Sequence, residues 1–317
     1  MMNVFVRAAI HPDAVAKLQA DSRVRAVLWD DPAVAAWEEE ADAVILRGLD
    51  ITGEEIRRAK RLKVIGRHGA GVDSVDLEAA KEKGVKVMNT PFENSQSVAE
   101  LAVGFMLASG RNIHGATTLV REGKWAEGRK GKGCVELFGG TVGLVGYGRI
   151  ARMVAAILRT AFSMTVRAYD PFVTEEQWAA MAESVAPCKT VEELFASCDY
   201  ISIHVPKTKE TTGLINAAVF AGARKGLVLV NTARGGVIDE AALYEAMKNG
   251  TVRAAASDVF GKEPLDPATP LLSLPNFIAT PHYGGATEQC LQRVATKIAE
   301  ETVAALFDEE TSAYRYL

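Results

Sequence analysis

The 317-residue chain is poor in cysteine and histidine, with four and five respectively, and it carries no surplus of positive charge. Cys134, Cys188, Cys198 and Cys290 are scattered without a CxxC pair, which argues against a zinc or disulfide framework and for a reducing compartment. No metal site is expected on that spacing. With 36 basic and 40 acidic residues and a net charge of −4, the chain offers no polyanion-binding surface, so nucleic acid is not an expected partner. The longest apolar run, Leu101 to Ala108, falls far short of the ~18 residues of a membrane span. The N-terminal MMNVFVRAAIHP starts at once with a strand pattern and lacks the basic and apolar regions of a signal peptide. No fixed-period repeat, low-complexity tract or flexible linker interrupts the sequence. These absences leave a cytoplasmic location and a small-molecule partner as the expectation.

What is present is a globular composition, 48% hydrophobic and 24% charged, on a length that suggests two domains at roughly 150 residues each. Short β-branched runs alternate with helical patterns, the signature of βαβ units and a mostly parallel sheet. A first set of strands is expected near Val4 to Val6, Val24 to Leu28, Ala43 to Leu46, Val64 to Gly66 and Val85 to Met88. A long helical stretch from about Ser97 through Gly110 to Glu122 separates it from a second set. That set has six strands, near Val142 to Val145, Val166 to Tyr169, Tyr200 to Ile203, Leu227 to Val230, Ala254 to Asp258 and Phe277 to Ala279, enough for a doubly wound dinucleotide fold. Glu288 to about Leu306 reads as one more amphipathic helix, placed to cross back to the first set. Glu38, Glu39 and Glu40 read as a solvated face.

The strand Val142 to Val145 runs into Gly146-Tyr147-Gly148-Arg149-Ile150-Ala151 and then a helix, which is GxGxxA in a strand-turn-helix setting. Gly146 permits the tight turn. Gly148 lets a pyrophosphate approach the helix N-terminus, where unpaired N–H groups and the dipole favour an anion. The next strand ends in Tyr169-Asp170, where a carboxylate can accept hydrogen bonds from ribose hydroxyls. Pro171-Phe172-Val173 follow without Arg or Lys to meet a 2′-phosphate, so NAD is favoured over NADP.

In open α/β sheets ligands bind beyond the carboxyl ends of the strands. Three of those ends carry unlike polar residues: Arg234 in NTARGG, Glu263 in VFGKEP and His282 in TPHYGG. Each has an ordinary alternative, as a loop cap, a surface charge and a structural histidine. Together they suit hydride chemistry. A neutral histidine takes a hydroxyl proton while hydride leaves the same carbon, a carboxylate on its other nitrogen fixes the tautomer, and an arginine holds a substrate carboxylate. In the first set, the strand Val64 to Gly66 ends in Arg67-His68-Gly69-Ala70-Gly71, a bend whose amides could bind a carboxylate, with Arg67 adding charge. For His68 a local or structural role is the expectation.

The segments GRHGAGVDSVD, MNTPFENSQSVAEL, TVGLVGYGRIA with YDP, ISIHVPKTKETTGLIN, VNTARGGVIDE, ASDVFGKEP and ATPHYGGAT, in that order from Arg67 to Thr287, resemble the D-isomer-specific 2-hydroxyacid dehydrogenases, most closely the phosphoglycerate dehydrogenase-like branch. The resemblance implies two doubly wound parallel-sheet α/β domains with a cleft between them. One is a flavodoxin-like substrate domain, discontinuous over 1–98 and 288–317. The other is a Rossmann NAD domain over 99–287. It implies NAD-dependent interconversion of a D-2-hydroxyacid and its 2-oxoacid, with a small anionic substrate, His282 as acid/base, Glu263 as its support and Arg234 on the substrate carboxylate or keto oxygen. It further implies NAD contacts from Gly146, Gly148, Arg149, Ile150, Asp170, Val205, Pro206, Thr232, Asp258 and Gly284, with Asp258 on the nicotinamide carboxamide. Substrate contacts would come from Arg67, Ala70, Gly71 and Arg234, and a homodimer through the NAD domain would place Trp125 near the partner.

Two departures stand out. Ala151 replaces a common glycine, and Lys207 follows His-Val-Pro where leucine is usual, bringing a cation toward the cofactor groove. The sequence ends at Leu317 where longer phosphoglycerate dehydrogenases carry a regulatory domain, so serine feedback through one is not expected. The resemblance also covers hydroxypyruvate and glyoxylate reductases, oxidation of formate or phosphite, and NAD-sensing corepressors. Arg67 beside the anion bend tilts the reading toward 3-phosphoglycerate.

Overall fold

The computed structural model describes residues 1–131 and 133–311. The chain forms two compact units, Met1–Ser97 with Gly285–Leu317, and Val98–Gly284; the last six residues of the substrate segment expected over 288–317 lie outside the described residues. Among the described residues no helix is long and apolar enough to cross a membrane.

The first unit holds five parallel strands, β1 (Met2–Val6), β2 (Val24–Val27), β3 (Ala43–Leu46), β4 (Val64–Arg67) and β5 (Lys86–Met88), in the order β2-β1-β3-β4-β5. This 2-1-3-4-5 order is the flavodoxin-like doubly wound arrangement. Every residue of β3 is buried, as a parallel strand covered on both faces requires. Val4, Val6, Ile45 and Val64 meet Leu18 of the helix Pro12–Ala20 and Ala295 and Ile298 of the helix Glu288–Leu306. Phe5, Val44, Leu46 and Ile65 pack on the opposite face with Trp37, Ile56 and Ala80. The helix Glu288–Leu306 therefore returns to this sheet. Two of the three consecutive glutamates form salt bridges, Glu38 with Arg58 and Glu39 with Lys60.

The second unit holds seven parallel strands, β6 (Thr141–Val145), β7 (Thr165–Tyr169), β8 (Ala186–Pro187), β9 (Tyr200–Ile203), β10 (Leu227–Asn231), β11 (Val252–Ser257) and β12 (Phe277–Ala279). Their order, β12-β11-β10-β9-β6-β7-β8, is the dinucleotide-binding 3-2-1-4-5-6 arrangement with one strand added at the edge. Leu144, Val154, Tyr200 and Val230 fill one face, and Phe195, Ile201, Leu229 and Phe277 the other.

Three sequence expectations need correction. The second sheet has seven strands rather than six, because β8 is an edge strand of two exposed residues with no hydrophobic signature. The helical stretch from Ser97 to Glu122 is two helices, Ser95–Gly110 and Ile113–Arg121, divided at Asn112, which takes a left-handed φ of 46°. Asparagine tolerates that conformation and it ends helical hydrogen bonding. The strand expected over Ala254 to Asp258 runs Val252–Ser257, so Asp258 stands just past its end.

Candidate active site

The register of the second sheet sets the level of the site. Val145 pairs Ile203, Ile203 pairs Asn231, Asn231 pairs Ser257 and Ser257 pairs Ala279. One residue further along, Gly146, His204, Thr232, Asp258 and Thr280 form a row across the carboxyl ends of five strands. In a parallel sheet, residues at one level point to the same face.

Gly146 has φ 87°, and a methyl group on it would lie 2.9 Å from the His204 carbonyl oxygen, so glycine is required both for the turn and for the approach of β9. Gly148 differs: nothing lies within 4 Å of a methyl placed there. It caps the helix Arg149–Phe162, whose first amides receive no side-chain cap. Arg149 and Ile150 form the opening of that helix, Ile150 also leaning on the core. Asp170 follows β7. Its Oδ2 accepts the Tyr147 N–H at 2.8 Å and its Oδ1 the Phe172 N–H at 2.9 Å, which ties the glycine turn to the end of the neighbouring strand. Each oxygen keeps a lone pair for a further donor.

Glu263 and His282 come together. His282 Nδ1 lies 2.8 Å from Glu263 Oε2, with the two side chains 50% and 37% exposed. Glu263 Oε1 accepts the Phe260 N–H at 2.9 Å, so one carboxylate oxygen is fixed by backbone and the other faces the imidazole. Nδ1 is thereby engaged and Nε2 is left for another partner. His282 has φ 52°, a strained conformation for a non-glycine residue.

The buried carboxylate of Asp258 imposes that conformation. It accepts from Thr280 Oγ1 at 2.5 Å, Tyr283 N–H at 3.0 Å and Gly284 N–H at 2.8 Å, clasping the TPHYGG loop on both sides of His282. Three of about four acceptor positions are used. Sequence reading named Asp258 and missed this clamp, because its partners are 22 to 26 residues away.

Arg234 sits in a turn shaped by Asn231, whose Oδ1 accepts the Ala233 N–H at 3.0 Å and whose Nδ2 donates to the Arg234 carbonyl at 3.0 Å. The Arg234 guanidinium donates through Nη1 to the Ala233 carbonyl at 2.8 Å. Lys207 lies against the next bend: its Nζ is 3.4 Å from a methyl built on Gly236. Val205 packs on the core, and the Pro206 carbonyl accepts from Thr211 Oγ1 at 2.6 Å. A cavity of about 640 Å3 borders the Glu263–His282 pair, walled by Phe260, Pro264, Leu265, Leu272 and Pro281.

In the first unit, β4 ends at Arg67, which donates through Nη1 to the His68 carbonyl and folds over Gly69. Leu46 pairs Arg67, which sets Arg47, one residue past β3, beside His68. His68 is 6% exposed and pushed down to about 4, first by burial, then by Arg47 and Arg67. It is a buried neutral histidine, in keeping with a structural role. Asn89 Nδ2 donates to the Ala70 carbonyl at 2.7 Å and pins the bend. The amides of Ala70 and Gly71 make no hydrogen bond among the described residues. Arg47 and Asn89 were missed in the sequence, although both lie where the strand-end rule would have found them.

Fold and turn together define a dinucleotide-binding protein of the doubly wound class. Residues 103–284, more than half of the chain, match the model of the D-isomer specific 2-hydroxyacid dehydrogenase, NAD binding domain, and the chain belongs to that family. It is 41% identical to D-3-phosphoglycerate dehydrogenase of Methanocaldococcus jannaschii over 98% of its own length, but spans only 58% of that relative. It is 44% identical to the hydroxypyruvate reductase of Thermotoga maritima, covering 83% of this chain and 84% of that one. Among solved structures, the TT0316 protein of Thermus thermophilus superposes with a TM-score of 0.85 at 32% identity, over 100% of both chains.

The residues present fit NAD. The space over Gly148 and the uncapped helix N-terminus suit a pyrophosphate, and Asp170 retains acceptor capacity for a ribose. Thr232 Oγ1 and His204 Nε2, neighbours in the row past β9 and β10, are sealed from solvent without a hydrogen-bond partner among the described residues. Buried polar atoms of that kind call for an explanation, and a bound cofactor beside β9 and β10 would supply partners for these two.

Proposed function

We propose that the chain is an NAD-dependent oxidoreductase that interconverts a D-2-hydroxyacid and its 2-oxoacid. The observation that carries the reading is the 2.8 Å pairing of His282 with Glu263 at the strand ends of the unit that bears the dinucleotide turn. Gly146, Gly148, Arg149, Ile150, Asp170, Val205, Pro206, Thr232, Asp258 and Gly284 hold the cofactor, which when bound accepts or returns a hydride. His282 Nε2 takes the hydroxyl proton in the oxidative direction and returns it to the carbonyl oxygen in the reductive one. Glu263 holds the tautomer with Nδ1 protonated and stabilises the imidazolium. Arg234 engages the substrate carboxylate or keto oxygen, as a planar cation suited to bidentate contact. The segments 1–98 and 288–317 serve as the substrate domain and 99–287 as the cofactor domain.

We assign the substrate's anionic groups to Arg67, Ala70 and Gly71 of the first unit, with Arg47 beside them. Two arginines and two unengaged amides at the adjacent ends of β3 and β4 favour a doubly anionic acid, 3-phosphoglycerate, in line with the name of the M. jannaschii relative. The T. maritima relative, matched over most of its length, supports hydroxypyruvate as the second reading. A homodimer through the cofactor unit is supported by Ile113, Val120 and Trp125, which expose 51%, 51% and 67% of their surface on adjacent helices. A cytoplasmic location accords with the metabolic chemistry proposed.

The test is a panel of 2-oxoacids with NADH, run on wild type and His282→Ala. The variant should lose on the order of 10²–10⁴-fold in kcat while binding NADH as wild type does. Undiminished turnover in His282→Ala would sink the reading. Preference for a 2-oxoacid with an uncharged side chain over 3-phosphohydroxypyruvate would remove the substrate assignment and leave the reaction class standing.

A further inference from the structure

Glu240 belongs to none of the groups above, yet its carboxylate reaches the loop that carries Glu263. It is the first residue of the helix Glu240–Lys248, capped by Asp239, and a carboxylate there is favoured by the helix dipole. Glu240 Oε1 accepts the Gly261 N–H at 2.7 Å. One residue earlier the Phe260 N–H donates to Glu263 Oε1, and Glu263 Oε2 faces His282. On its other side the same loop rests on Gly235, where a methyl group would stand 1.7 Å from the Phe260 carbonyl oxygen. Asn231, Gly235, Gly236, Glu240, Val259 and Phe260 surround a cavity of only about 10 Å3, so the junction has almost no slack. The loop is gripped between the Arg234 turn and Glu240.

We propose that Glu240 is a positioning residue for the acid/base pair, fixing Phe260–Glu263 so that Glu263 meets the imidazole at hydrogen-bonding distance. The proposal rests on His282 being the acid/base. A charge-assisted hydrogen bond to backbone is among the stronger polar contacts, and small displacements at a reacting centre are costly to rate. Glu240 is 21 residues from its donor partner in sequence, so no local motif announces the role.

The experiment compares Glu240→Ala, Glu240→Gln, Glu240→Asp and His282→Ala for kcat, KM and NADH affinity in 2-oxoacid reduction. Glu240→Ala should lower kcat by about tenfold or more, with KM and NADH affinity nearly unchanged. Glu240→Gln keeps an acceptor oxygen and should return kcat to within about twofold of wild type. Glu240→Asp, shorter by one methylene, should fall between and serves if the alanine variant does not fold. Wild-type kcat in Glu240→Ala, or in Glu240→Asp where the alanine variant does not fold, overturns the proposal, as does a glutamine variant as impaired as the alanine one. An active His282→Ala overturns the underlying reading instead.

Discussion

At the scale of single residues, the site depends on what holds His282 in its left-handed conformation. Asp258 does this with three accepted hydrogen bonds, two of them from the backbone of Tyr283 and Gly284. Asp258→Asn replaces one acceptor oxygen with an NH2 that faces donors, leaving a buried N–H or hydroxyl unpaired at about 1–3 kcal/mol. The loop should then relax from its strained geometry, lowering both the thermal midpoint and kcat. Calorimetric unfolding and steady-state kinetics would measure the two, and a variant with wild-type midpoint and kcat would refute the clamp. The imidazole of TPHYGG was legible as a candidate only jointly with Arg234 and Glu263, through their shared placement past strand ends. The clamp was not, since it depends on which strand lies next to which.

At the scale of elements, the β6-turn-helix unit separates what folding needs from what a ligand needs. Gly146 is required by the fold, with φ 87° and β9 against it, whereas Gly148 has an ordinary φ of −74° and open space where its side chain would be. Gly148→Ala should therefore change stability by less than about 0.5 kcal/mol and yet weaken NADH binding, because the methyl occupies the pyrophosphate's approach. Fluorescence titration with NADH alongside thermal unfolding tests this, and unaltered affinity would show that no phosphate comes close there. The same unit explains how much of the fold was readable. Buried parallel strands such as Tyr200–Ile203 are continuous apolar runs, and GxGxxA followed by Asp170 has a local geometric meaning, so both could be located from residues alone. Two-residue β8 buries nothing, and the break at Asn112 turns on one backbone angle, so neither leaves a pattern. Glu240 and Asn89 act through backbone partners set by the fold, which a linear reading has no means of supplying.

At the scale of the molecule, each unit encloses one neutral histidine, and together they make the protein acid-sensitive. His68 in the first unit and His204 in the second are both pushed down to about 4, chiefly by burial, with Arg47 and Arg67 adding to the effect on His68. Their Nε2 atoms are sealed from solvent, although part of the His204 residue is exposed. The unfolded chain protonates both near pH 6.5 while the folded chain resists until about 4, so unfolding takes up protons between those values. The stability is fully present above about pH 6.5 and is lost progressively as pH falls toward 4, by on the order of 3 kcal/mol for each histidine at the lower limit. His68→Gln and His204→Gln remove the titrating group, so each variant should lose less stability than wild type between pH 7.5 and about 4.5. The two residues sit at the ends of different sheets and share no hydrogen-bond partner among the described residues, so the double variant should show the sum of the two effects. Denaturant unfolding at a series of pH values gives the slopes directly. Slopes in both variants parallel to wild type would show that carboxylates elsewhere, and not these two buried imidazoles, govern acid unfolding.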